Sequence, residues 1–178
     1  MAPRNNHLKY QVYRGEAYRQ ALELLAEEQA SQDPPDLDVS RVRLEPINQA
    51  AVAASFNWGE EGALLSWEDV SYWKQKWPKG IDLALWYDVE LCGMAYANPR
   101  DSKLTIKLIL LEGKPDSSHP LKGYVLPIAL TAIDAFARMS KLKWIEVQDP
   151  ASGAIPWYCE NGFEFDDERR LVISVEDE

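Results

Sequence analysis

Between Leu104 and Ala137 the chain changes its hydrophobic period, and that change limits the possible folds more than any other feature. Leu104, Ile106, Leu108 and Leu110 alternate with Thr105, Lys107, Ile109 and Leu111, the period of two that sends neighbouring side chains to opposite faces of a strand. Polar residues give out after Lys107, which predicts that the second half of this strand is buried on both faces. A loop over 113–122 follows. Then Val125, Ile128, Ala129, Ala132, Ile133, Phe136 and Ala137 recur at i, i+3, i+4 and i+7, the apolar stripe of a helix, with Thr131, Asp134 and Arg138 turned away from it. A strand and a helix of this kind, side by side in sequence, call for a mixed α+β fold in which helices flank a sheet.

The rest of the chain supplies the other elements. Tyr18, Ala21, Leu22, Leu25 and Ala26 make one apolar stripe, which predicts a helix over Arg14–Gln32, stopped by Asp33-Pro34-Pro35-Asp36. Residues 1–38 are therefore an N-terminal helical arm with a proline-containing linker, free to pack on its own chain or on a second copy, and 39–178 form the main domain. His7 falls in a polar, unstructured start. Strands are expected over Ser40–Glu45, over Ile81–Tyr87 with Glu90–Asn98 as a hairpin through Asp88-Val89, over Trp144–Gln148, and over Phe163–Phe165 with Leu171–Val175 as a closing hairpin. Helices are expected over Asn48–Phe56, over Ser66–Trp77 with Ser66 and Asp69 as a capping pair, and over Ala154–Asn161 with Gly162 as its left-handed cap. Trp58, Trp67, Trp73, Trp77 and Trp86 are expected to be mostly core, with one or two left for a pocket wall.

A net charge of −10 argues against non-specific nucleic-acid binding, which depends on cationic side chains neutralising phosphates. The same charge would steer amines and other cationic partners, although an acidic surface also serves simple solvation. No apolar run reaches the roughly 18–20 residues of a membrane helix, and Met1–Tyr10 lacks the apolar centre of a secretion signal. Cys92 and Cys159 make neither a disulfide framework nor a metal spacing. A cytoplasmic protein without a metal, a membrane partner or a nucleic-acid partner is the expectation.

Two motifs carry a resemblance. Ala154-Ile155-Pro156-Trp157-Tyr158-Cys159-Glu160-Asn161-Gly162-Phe163 places a Tyr four residues after an Ala and a Gly-Phe after it, between a strand and the terminal hairpin. His119-Pro120-Leu121-Lys122-Gly123-Tyr124-Val125 stands between the long strand and the amphipathic helix. With the order of elements, these segments resemble the GNAT N-acetyltransferase superfamily over about Val39–Val175. The first resembles the family's late helix. The second resembles its pyrophosphate loop, departing from it at Pro120, where Arg or Gln is usual, and at Val125, where Gly or Ala is usual.

The resemblance implies a GNAT-like, mostly antiparallel twisted sheet and an acetyl-CoA-dependent transfer of an acetyl group to a primary amine, on a small molecule or a protein, by direct attack. It implies Tyr158 as the general acid toward the departing thiolate and Glu112 as the general base. Acetyl-CoA would be held by the backbone of Leu110 and Leu111 along the pantetheine arm and by His119, Lys122, Gly123, Tyr124 and Val125 around the diphosphate. Each residue also has a plainer reading: Tyr158 as packing, Glu112 as an exposed carboxylate beside a turn, His119 as a turn residue, Cys159 as a small buried hydrophobe. Pro120 and Pro127 lack amide donors and Val125 adds a branched side chain, which keeps open a catalytically inactive GNAT-fold protein that acts as a binding or regulatory module. A homodimer is compatible with either reading. A toxin that acetylates charged tRNA is disfavoured by the acidity.

Overall fold

The computed structural model describes residues 4–60, 62–100, 104–116 and 118–175. Among these residues seven strands form one sheet: β1 (Val42–Glu45), β2 (Ile81–Tyr87), β3 (Glu90–Pro99), β4 (Thr105–Gly113), β5 (Trp144–Val147), β6 (Glu164–Phe165) and β7 (Leu171–Ser174), in the order β1-β2-β3-β4-β5-β7-β6. All neighbours are antiparallel except β4 and β5, which run parallel because α4 (Val125–Met139) crosses over between them. Mixed α+β architecture and a mostly antiparallel sheet follow the expectation.

Alternation along the strands gives each sheet face its own core. On one face Leu83, Leu85, Ala95, Ile106, Leu108 and Ile145 pack under α4, whose Ile128, Ala132, Ile133 and Phe136 are buried as its stripe predicts. On the other face Ala84, Trp86, Met94 and Tyr96 pack under α2 (Gln49–Ser55) and α3 (Val70–Lys76) with Ile47, Trp58 and Trp67. Trp58, Trp67 and Trp86 are core residues, Trp73 leans on Tyr96 with ring centroids 5.6 Å apart, and Trp77 is exposed.

The arm lies on its own chain. Helix α1 (Arg4–Ala30) begins ten residues before the expected Arg14. Tyr10, 6.3 Å from the Phe136 ring, and Tyr13 extend its apolar stripe beyond the polar start. His7 is part of this helix and exposed, not unstructured. Ala17, Tyr18, Ala21 and Leu25 are buried in the core beneath α4 and beside β1 and β2. Arg14 donates to the carbonyls of Pro78 (3.2 Å) and Gly80 (2.9 Å), and the Tyr18 hydroxyl donates to the Asp82 carbonyl. This docking explains why Ala135, off the stripe read from the sequence, is buried as well.

Three expectations fail locally. The second half of β4 is not buried on both faces, since Ile109, Leu110 and Leu111 are only half-buried. The Ser66–Asp69 capping pair does not form: a 3₁₀ turn, Trp67–Asp69, takes its place and α3 starts at Val70, because Trp67 is drawn fully into the core. In β4, Leu110 does not share a face with Ile106 and Leu108. Tyr96 pairs with Leu110 and Ala97 with Leu108, so Ile109 is an extra residue, a β-bulge that sends Ile109 and Leu110 to the α2–α3 face and Leu111 to the α4 face.

Candidate active site

Among the described residues, strands β4 and β5 pair only over Thr105–Leu108 and Trp144–Val147, and the pairing closes with Gln148 N donating to Leu108 O at 3.0 Å. Past Leu108, β4 runs on through Gly113 bonded to β3 alone among the described residues. The parted strands open into a cleft of about 570 Å³. Its walls are Leu111 and Gly113 of β4, Lys114, Asp116, His119, Lys122 and Gly123 of the loop after it, the first turn of α4, and Ala154, Trp157, Tyr158 and Asn161 around α5 (Ile155–Glu160).

At one end of the cleft the loop turns into α4. Lys122 N donates to His119 O at 3.1 Å and Tyr124 N to Leu121 O at 2.9 Å, while the first α-helical bond is Ile128 N to Tyr124 O at 3.0 Å. The amides of Gly123, Val125 and Leu126 have no hydrogen-bond partner among the described residues. Val125 and Leu126 are orphan donors of the α4 N-terminus, Gly123 lies just before its cap, and Pro127 at the third helical position has no N–H. Gly123 takes φ +84°, and a Cβ there would meet nothing within 4 Å, so the backbone at this corner is open. Val125 keeps its side chain out of the corner by burying it in the sheet against Gly93.

Lys114 and Lys122 border the same cleft, whereas Pro120 is exposed outside it. His119 was expected beside the diphosphate. It lines the cleft but is buried, and burial pushes its imidazole below the ordinary value, against the opposing pull of Glu90. Its Nδ1 is buried with no partner among the described residues. It can therefore offer a neutral hydrogen-bonding group there, not a cation.

On the opposite wall Tyr158 is buried, edge-on to Phe163 at 5.4 Å. Burial pushes its phenol up to about 12, so the proton is held at neutral pH. The residue is anchored at both sides: Tyr158 N donates to Ala154 O at 3.2 Å, and Phe163 N returns to Tyr158 O at 3.1 Å across Gly162, whose φ of +97° makes the expected left-handed cap. Cys159, expected to be a small buried hydrophobe, is exposed because it lies on the opposite side of this short helix from the core.

Glu112 lies on the α2–α3 face of the sheet and does not line the cleft. It is buried rather than exposed beside a turn, and its carboxylate accepts from Leu64 N (2.7 Å), Leu65 N (3.1 Å) and Trp67 Nε1 (2.8 Å). Leu110 is on that same face, Leu111 on the cleft side. The structure thus brings Leu111, His119, Lys122, Gly123, Val125 and Tyr158 together and sets Glu112 and Leu110 behind them. Tyr124 is placed between the free amides with its ring against the core. Lys114, Leu126 and Trp157 join the cleft without having been singled out; a lysine directly after the central strand and a tryptophan beside the motif tyrosine were the available signals. Among the described residues no three His, Cys, Asp or Glu side chains gather as a metal site requires, and no helix is long and apolar enough to cross a membrane.

No protein-family model matches the sequence, and no curated protein matches it. Solved structures do match the fold. Ard1 from Thermoplasma volcanium superposes with a TM-score of 0.58 at 9% identity, covering 77% of this chain and 99% of its own. A GNAT-family acetyltransferase from Staphylococcus aureus gives 0.57 at 10% identity, covering 76% and 99%. Arabidopsis thaliana Naa50, solved with the bisubstrate analogue CoA-Ac-MVNAL, gives 0.51 at 13% identity, covering 77% and 99%. With its parted β4 and β5, its bulged β4 and its helices on both faces, the chain has the GNAT fold.

Proposed function

We propose that this chain is an acetyl-CoA-dependent N-acetyltransferase acting on a primary amine. The observation that carries the reading is the set of three unpaired amides, Gly123, Val125 and Leu126, at one end of a cleft that has the protonated Tyr158 in its other wall. Free N–H groups at a helix N-terminus suit a diphosphate, and the helix dipole adds to them. Lys114 and Lys122 would add charge at the mouth, and His119 a neutral partner. The free edge of β4 suits the amide groups of a pantetheine arm, which would pair beside Leu110 and Leu111 as an added strand. The CoA conjugate bound by Arabidopsis Naa50 supports the same ligand class.

When bound, acetyl-CoA supplies an activated acyl group: the amine attacks the thioester carbon, the C–S bond breaks, and sulfur leaves as a thiolate. Tyr158 donates its phenolic proton to that sulfur, a role that requires the phenol to be protonated beforehand. The attacking nitrogen gives up its extra proton to water and the Tyr158 phenolate regains one from water, so the products are a neutral amide and a thiol. Glu112, engaged by three donors, acts as an organiser of the 64–67 turn on the acceptor side rather than as the proton acceptor.

Calorimetric titration with CoA tests the reading. Binding in the micromolar range is expected, and no heat together with no thermal shift at millimolar CoA refutes it. In a panel of amine acceptors, Tyr158→Phe is expected to lower turnover by about 10²-fold with CoA affinity unchanged. Equal turnover removes Tyr158 from the chemistry.

A further inference from the structure

The geometry points to Gln29, on the N-terminal arm, as a positioning residue for the diphosphate-binding turn, so that the arm sets how tightly the chain holds CoA. This rests on the reading of the cleft given above. Gln29 lies in the last turn of α1 and is 3% exposed. Both ends of its amide are used. Nε2 donates to the Tyr124 hydroxyl at 3.0 Å, and Oε1 accepts from Leu37 N at 2.9 Å. One buried side chain thus joins three segments: the arm helix, the linker and the turn before α4.

Tyr124 is the pivot of that turn. It stands between Gly123 and Val125, whose amides face the cleft, its own N–H closes onto Leu121 O, and its carbonyl starts the helix by accepting from Ile128. Gly123 beside it has no side chain and open space around its Cα, so nothing at that position holds the backbone still. Orientation has to come from the neighbours. Val125 supplies it through Gly93, and Tyr124 through a ring packed in the core with its hydroxyl tied to Gln29. A buried amide satisfied at both ends resists rotation, because any other rotamer would leave polar groups unpaired in an apolar setting. Release of the tie frees the turn to move, and a turn that must be ordered on binding binds more weakly.

The test uses the full chain with Gln29→Met, Tyr124→Phe and the double variant. Tyr124→Phe leaves the Gln29–Leu37 bond in place, which keeps the test alive where Gln29→Met fails to fold. Two readouts are taken: hydrogen–deuterium exchange without ligand, and calorimetric titration with CoA. Expected are faster exchange over 119–128 with residues 155–165 unchanged, and a CoA dissociation constant raised roughly three- to ten-fold in each single variant. The double variant is expected to be no weaker than the worse single. A dissociation constant within two-fold of the parent in the folded single variants, or effects that multiply in the double, overturns the positioning role. No CoA binding by the parent overturns the acetyltransferase reading instead; the exchange result then decides the tie by itself, and unchanged exchange over 119–128 overturns it.

Discussion

The tightest interlock near the cleft joins Val125 to Gly93, and Gly93→Ala is the perturbation that tests it. A Cβ on Gly93 would lie 2.6 Å from Val125 Cγ1, 3.0 Å from Cγ2 and 3.4 Å from Glu112 O. Carbon atoms prefer about 3.5–4.0 Å, so the first contact is short by about an ångström. A valine in a helix has one strongly preferred rotamer and cannot swing aside cheaply. The first turn of α4 has to lift instead. Overpacking of this kind costs about 1–3 kcal/mol, while the entropy lost from the unfolded chain returns about 0.4–1 kcal/mol. Strain prevails, leaving a net destabilisation of about 1–2 kcal/mol. In a chain of this size each kcal/mol lowers Tm by about 2–4 °C.

The partner substitution makes the test specific. Val125→Ala alone removes two buried methyl groups and should cost about 1.5 kcal/mol. In the Gly93→Ala background the same change removes the clash, so the double variant should be no less stable than Gly93→Ala, a coupling of at least about 1.5 kcal/mol. Urea unfolding midpoints of the four proteins measure the cycle. Gly93→Ala with the parent's midpoint, or a double variant in which the two losses simply add, refutes the interlock and with it the account of how the amides stay clear of the valine.

Other outcomes follow from single groups. Glu112→Ala strips the acceptor from two amides and from a fully buried indole, and a loss of roughly 3 kcal/mol in denaturant unfolding is expected, with Glu112→Gln costing less. If Glu112→Gln folds like the parent yet abolishes acetyl transfer, the carboxylate is the base and not an organiser. For the thiols, burial pushes Cys92 up to about 11, whereas Cys159 is exposed. A colorimetric thiol reagent at neutral pH is expected to label Cys159 promptly and Cys92 only after unfolding. Prompt labelling of both contradicts the packing of β3.

The residues by themselves determined the elements and their order, because strand and helix periods depend on side-chain spacing within a few positions of each other. The Leu104–Ala137 switch, the Gly162 cap and the Tyr158 helix were legible for that reason. What depends on a distant partner was not. The bulge at Ile109, which decides that Leu111 and not Leu110 faces the cleft, arises from pairing with β3. The burial of His119, which keeps its imidazole neutral, and the exposure of Cys159 depend on what packs around them. Pro120 and Val125 looked damaging in a linear motif, yet Pro120 sits outside the cleft and Val125 has Gly93, thirty-two residues earlier, as its socket. The docking of α1, with Gln29 reaching Tyr124, likewise came only from the tertiary structure. A local pattern can state which face a side chain prefers, but only the packed chain determines what it meets there.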